Sequence, residues 1–269
     1  MSFKGAVNEA TERRAVQFMA RAGYPISGTL HLLIAYTIAR IALGFGGQAD
    51  QTGALATLAT EGGGTLSLWI VAGGLIALAM WRLAETVLGL HPGESTEAHK
   101  RESPLINRLK AFGLALVYCA LAFTAVQFAL GARRRGTEQT AGLSARLMQS
   151  DGGSAILVIA GLAIAVIGAY FFHKGASRKF LQDLTVPGGR LITVLGIFGH
   201  VAEGLVLFAA GLLVIVATYL SDPAKSTGLD GAVEALGRAE FGSAILIAAA
   251  AGFAAYGLYS FALARYSRM

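Results

Sequence analysis

The chain has 269 residues, of which 55% are hydrophobic and 14% charged, and its mean hydropathy is +0.59. Soluble globular proteins carry about 25% charged residues, so the composition excludes that class and points to a lipid-embedded protein. The formal net charge of +6 would suit nucleic acid, but its distribution along the chain argues for a membrane and for no nucleic-acid partner.

Residues 1–19 form an amphipathic, basic lead-in expected in the cytoplasm. A first apolar interval then runs from Arg21 to Arg40, broken only by His31. It is too long for a cleavable signal peptide, and no small-residue cleavage motif follows it. Charge-free intervals follow from Glu61 to Arg82, Lys110 to Arg133, Asp151 to Lys174, Glu203 to Asp222 and Glu240 to Arg265. A membrane helix needs about 20 apolar residues, so six transmembrane helices are expected. The runs are continuous and rich in Leu, Ala and Ile rather than alternating, which favours helices over strands.

Between the paired intervals sit short polar-then-apolar stretches: "QADQTGALATLA" (Gln48 to Ala59), "TEQTAGLSARLM" (Thr137 to Met148) and, more faintly, "GLDGAVEALG" (Gly228 to Gly237). Leu55 and Leu58, Val233 and Leu236, and Leu143 and Leu147 are spaced for one face of a short helix lying at the membrane surface. The glycines that follow suit a turn back into the bilayer.

Self-comparison exposes a repeat. Arg21 to Gly44 lies over Arg108 to Gly131, pairing Gly28 with Ala115, His31 with Tyr118 and Tyr36 with Phe123. A third copy places Gly204 under Gly28. Each unit crosses twice, so all three share one orientation, which implies a pseudo-threefold axis along the membrane normal. The expected fold is an all-α integral membrane protein: six transmembrane helices in three tandem hairpins, with short amphipathic extracytoplasmic helices. The hairpins cover residues 20–90, 107–174 and 190–269, joined by cytoplasmic linkers at 91–106 and 175–189. Fifteen of the 22 Lys and Arg fall on the side of both termini, so the positive-inside rule puts both termini in the cytoplasm of a multi-pass plasma-membrane protein.

The pattern "ARAGYPISGTLHLLI", then "ADQTGALATLA", then a Gly-rich return to "ALAMWRL", resembles the bacterial domain-of-unknown-function 1206 family. The resemblance covers roughly residues 20–266 and is strongest in the first copy. The second copy departs at Lys110 and Ala111, and the third at His200 and Glu203. It implies three tandem two-helix repeats, common in actinobacteria, and carries no assigned activity, so no catalytic residue is transferred.

Ionisable groups within a bilayer are functional candidates by default. His31 shares a small, polar stripe with Ser27, Ala35 and Ala39, suited to the bundle interior. His200 and Glu203 are spaced i, i+3 on one face. Glu203 aligns with Ser27, within about two turns of the cytoplasmic mouth, so "GGRLITVLGIF" reads as an interfacial lead-in. His31, Ser27, His200 and Glu203 are candidates for a proton or cation site. The competing readings are a packing histidine and an interfacial acid paired with nearby Lys and Arg. Arg82 and Glu85 read as a structural ion pair, and Arg40 reaches toward Asp50. Small-xxx-small pairs on the return helices, Gly73/Ala77, Gly161/Ala165 and Ala251/Ala255, are expected inside the bundle, where small residues let backbones approach. Cys119 is expected to be a small core residue.

No phosphate loop, zinc-protease or nucleophile-elbow motif occurs. His31 and His200 are about seven repeat positions apart, or about 10 Å along an axis rising 1.5 Å per residue, a poor spacing for two axial ligands of one haem. No cofactor and no metal are expected. The partners expected are the lipid bilayer and other membrane proteins or further copies of the chain. Two functions stay open: a non-enzymatic scaffold subunit of a membrane assembly, which Ala-rich helices favour, and a small-solute or ion channel or transporter with a pathway along the pseudo-axis.

Overall fold

The computed structural model describes residues 14–60, 63–88, 104–131, 136–150, 152–185, 189–222 and 228–266. Among the described residues every regular element is helical. The order is α1 (Arg14–Ala42), α2 (Gln51–Thr60), α3 (Gly64–Leu88), α4 (Pro104–Ala129), α5 (Gly136–Met148), α6 (Gly153–Ala176), a 3₁₀ turn (Lys179–Asp183), α7 (Arg190–Tyr219), α8 (Leu229–Gly237) and α9 (Gly242–Tyr266). Six of these, α1, α3, α4, α6, α7 and α9, are long and apolar enough to cross a membrane. Their outward faces carry large apolar side chains, among them Trp69, Ile70, Phe123, Ile159 and Val166. Exposed apolar surface on this scale marks a contact, and for spanning helices that contact is lipid.

The fifth span differs from its expected form. "RLITVLGIF" is part of α7, one continuous helix of 30 residues. At 1.5 Å per residue it is about 45 Å long, more than the roughly 30 Å of a bilayer core. α1, with 29 residues, matches it.

Packing follows one rule. Each return helix packs most closely on the first helix of the next unit: α3 on α4, α6 on α7, and α9 back on α1. The units are therefore not self-contained hairpins. Within a unit, α7 and α9 pack well, α1 and α3 less so, and α4 and α6 barely touch among the described residues. The between-unit pairings are cyclic, as repeats related by rotation would give, but the within-unit packing differs in all three. This packing alone does not establish the pseudo-threefold arrangement.

Glycine sets the closest seams. A Cβ on Gly204 would sit 2.3 Å from the Phe172 nitrogen and 2.7 Å from the Gly168 carbonyl oxygen. A Cβ on Gly28 would sit 2.9 Å from the Gly257 carbonyl oxygen. Gly28 and Gly204 are aligned repeat positions, and Ala115, their counterpart, is fully buried on α4. The expected small-residue pairs are corrected in part. Gly161 and Ala165 lie in the α6–α7 seam. Gly73 faces outward with nothing near its Cβ position, Ala77 is half-buried, and Ala251 is exposed while Ala255 is buried. The packed residues are one position later: Gly74 abuts Ile26 and Gly252 abuts Ala202. Spacing sets which residues share a face, but not which of two neighbouring stripes in an Ala/Gly-rich helix turns inward. Cys119 is also on the outer face rather than in the core.

The connectors are plugs more than surface floats. α2 inserts Gly53, Ala54 and Leu55 among α1, α3 and α4, and α8 inserts Gly231, Ala232 and Val233 against α7 and α9. Asp50 caps α2, accepting a hydrogen bond from the Gly53 N–H at 2.7 Å. Asp230 accepts one from the Ala49 N–H at 2.8 Å, tying the third unit to the first. Arg40 does not reach toward Asp50: its guanidinium lies over the Tyr36 ring. α5 packs on α6 and buries Ser144, while Leu143 stays exposed.

Gly168→Ala and Gly204→Ala are each expected to lower stability by about 1–3 kcal/mol through forced separation of α6 and α7. Gly73→Ala should be neutral or stabilising by up to about 1 kcal/mol from helix propensity. Thermal unfolding in detergent checks both. Burial, aided by the nearby Asp230 charge and opposed by the Gly53 N–H, holds the Asp50 carboxyl above its ordinary range. Native Asp50 therefore keeps its proton more tightly than the unfolded chain does. That contribution is present below the unfolded value near pH 4 and is lost as pH rises through the native value. Asp50→Asn keeps the cap and removes the titration. Its Tm, relative to wild type, should rise between pH 4 and 8.

Candidate functional site

His31 and Glu203 meet inside the bundle. The α9–α1 and α6–α7 glycine seams, with the close α7–α9 packing, bring α1 and α7 together beside α9. His31 Nε2 then lies 3.1 Å from Glu203 Oε1, with only 14% and 12% of the two side chains exposed. Glu203 is aligned with Ser27, one turn before His31. The ring spans that turn because helical side chains lean toward the N-terminus, and its Nδ1 lies 2.7 Å from the Ser27 carbonyl oxygen.

That second contact fixes the proton count. A carbonyl oxygen only accepts, so His31 Nδ1 carries hydrogen and donates to it. Nε2 and Oε1 at 3.1 Å then need one further proton between them. It resides on Nε2, giving imidazolium and carboxylate, or on Oε1, giving neutral imidazole and carboxylic acid. Either way the pair is neutral overall and holds one exchangeable proton. The other oxygen, Glu203 Oε2, is buried with no hydrogen-bond partner among the described residues. Buried polar atoms are nearly always paired, so this oxygen is an unused acceptor in a place where leaving one is costly.

Aromatic rings wall the pair. Phe253 stacks on His31 with centroids 6.0 Å apart, and Tyr256 lies 4.7 Å away at a tilt. Tyr256 is also within electrostatic reach of Glu203 and of Tyr118 on α4. Its ring fills the space between His31 and His200, whose centroid is 5.0 Å from it.

His200 parts from Glu203 despite the shared helix face. It donates Nδ1–H to the Gly196 carbonyl at 2.8 Å and is boxed by Phe180, Phe171 and Tyr259. Phe180 comes from the 3₁₀ turn, is fully buried, and accepts at its carbonyl a hydrogen bond from the Tyr259 hydroxyl at 3.2 Å. A Cβ on Gly196 would strike its ring, so glycine there makes the slot. The turn is pinned by Lys174 to Asp183 at 2.7 Å and by the Thr185 N–H to the Tyr266 carbonyl at 2.8 Å. This strap closes the end of the bundle near the last turn of α6, one turn beyond Glu203.

Of the four candidates, then, the structure joins Ser27, His31 and Glu203 and gives His200 to an aromatic box. Glu203 pairs with the imidazole and not with surface Lys or Arg. The expected Arg82–Glu85 pair lies outside the described residues, since the Glu85 side chain is not among them. Sequence reasoning missed Tyr256, Phe253, Phe171 and Phe180. Tyr256 and Phe253 are spaced i, i+3 in an otherwise Ala-rich helix, which was the available signal. No group of three or more His, Cys, Asp or Glu suited to a metal occurs among the described residues.

Six apolar spans, triplicated connectors and one buried ionisable pair define a multi-pass membrane protein built from tandem two-helix repeats. The chain belongs to the family described as Domain of Unknown Function (DUF1206), which matches it three times, at residues 22–89, 109–178 and 198–267. It is also 28% identical over 261 residues to the uncharacterized protein YxxB of Bacillus subtilis (strain 168), covering 94% of this chain and 92% of that one. No solved structure matches.

Removing one member of a buried pair strands the other, whereas replacing both with apolar groups is often neutral. At pH 8, His31→Leu is therefore expected to cost about 3–5 kcal/mol. The double variant His31→Leu/Glu203→Leu should recover most of that loss, read as Tm in detergent.

Proposed function

We propose that this protein is a bacterial plasma-membrane pathway for a small solute or ion, with His31 and Glu203 as its proton-binding site. The observation that carries the reading is the proton count at the pair. A protein that only packs against neighbours has no use for a titratable acid and base buried together, because apolar residues of like volume would stabilise it as well or better. Intramembrane ionisable residues mark ion pathways and proton relays. With both termini cytoplasmic, as the basic residues favour, the strap over His200 closes the cytoplasmic end and the connector helices close the outer end.

The scaffold reading draws on the same fold: tight glycine seams and an apolar exterior suit a packing subunit. It leaves the unused Glu203 oxygen without a purpose. Proteoliposomes loaded with a pH-sensitive dye, bathed in sodium, potassium and tetramethylammonium chlorides, separate the two. A pH step across the membrane should collapse at least several-fold faster with wild type than with the His31→Ala/Glu203→Ala variant. Equal rates would overturn the pathway and leave the scaffold.

A further inference from the structure

The pair sets a charge rule that names a ligand class, and the inference rests on the proton site proposed above. When the shared proton leaves, Glu203 remains as a single negative charge in a water-poor interior. An isolated buried carboxylate is strongly disfavoured, so departure of the proton calls for another cation in its place. The acceptor for it is on hand: Glu203 Oε2 is buried, has no hydrogen-bond partner among the described residues, and belongs to a residue only 9% exposed.

The surroundings select the kind of cation. A divalent metal needs several oxygen or nitrogen ligands, and no three-member His, Cys, Asp or Glu group is available among the described residues. Ser27 offers its carbonyl to His31 and not to an ion. What the site supplies beyond the single carboxylate and the freed His31 Nε2 is ring faces: Tyr256 and Phe253 beside His31, and Phe171 behind Tyr256. Aromatic faces attract ammonium and alkylammonium groups more than they compensate a hard, hydrated metal ion. Among the described residues α4 and α6 barely touch, and Tyr118 of α4 interacts electrostatically with Tyr256.

We infer that Glu203 Oε2, beside the His31 ring that Tyr256 and Phe253 flank, is the binding site of a monovalent ammonium-type cation that exchanges one-for-one with the proton shared by His31 and Glu203. The other titratable groups facing this centre are Tyr118 on α4, Tyr256 on α9 and His200 on α7. Lys174 and Asp183, already paired with each other, stand beyond them. The exchange makes and breaks no covalent bond except N–H or O–H: the proton leaves to solvent as the cation enters, and total charge is unchanged.

Methylammonium chloride is the probe, added to the purified full chain in detergent with a pH indicator and in a calorimeter. Wild type is expected to release close to one proton per methylammonium bound. Affinity should rise about tenfold per pH unit over the range where the pair is protonated, as linkage requires. Glu203→Gln should abolish binding and release while keeping a cooperative melt. Tyr256→Leu should weaken binding about tenfold, and Tyr256→Phe should restore it, because the ring face and not the hydroxyl holds the cation. Equal binding of sodium chloride would overturn the ammonium assignment. Nitrogen-15 spectra of labelled histidine separate this inference from the proton site. If His31 shows a proton coupled to Glu203 but methylammonium neither binds nor releases it, the cation inference falls and the proton site stands. If His31 titrates identically in Glu203→Gln, both fall.

Discussion

Close approach of helix backbones at single small residues is the constraint on which the rest of the structure depends. Lipid tails are as apolar as leucine, so burying apolar surface does not hold one spanning helix to another. Dispersion contacts do, and they require near contact. Gly28 against Gly257, and Gly204 against Gly168, supply it at aligned positions of two repeats. Those seams join the return helix of one unit to the first helix of the next. They consequently determine which helices surround His31 and Glu203. Widening either seam by the distance a methyl group demands would act directly on a 3.1 Å hydrogen bond.

That bond in turn accounts for what surrounds it. A neutral acid–base pair can sit in a low-dielectric interior where a lone charge could not. The aromatic walls exclude bulk water, and the pinned 3₁₀ turn places Phe180 over the adjoining His200 box. The two histidines thus receive opposite treatments on the two sides of Tyr256. His31 keeps both ring nitrogens engaged with polar groups, while His200 has its faces covered by Phe180 and Phe171.

Much of the fold was legible because its signals are one-dimensional. Charge-free intervals and helix length gave six spans, and self-alignment gave three copies, both of which the helices and the family match reproduce. His31 and Glu203 were each visible as ionisable residues in apolar runs. Their union was not, since it depends on the packing of α1, α7 and α9, which no local spacing encodes. The inward stripe of the Ala-rich return helices failed for a related reason: with Gly73 and Gly74 adjacent, composition offers two small faces 100° apart. Which one packs is decided by Ile26 on another helix. The cyclic pairing of α9 with α1 likewise lies beyond a hairpin-by-hairpin reading.

The repeats also show why one site and not three forms at the centre. If the first and third units carried the same ionisable group at the Ser27 and His31 positions, like charges would meet between α1 and α7 at a cost that rises as the dielectric falls. The aligned residues are instead Ser27, Leu114 and Glu203 at one level, and His31, Tyr118 and Leu207 one turn further in. One unit contributes the base, another the acid, and the remaining one a neutral phenol near Tyr256. Offsetting the acid and base by one turn lets the imidazole lean back over Ser27 and meet the carboxylate head-on. Divergence at two positions per unit leaves a single acid–base pair where α1, α7 and α9 pack together.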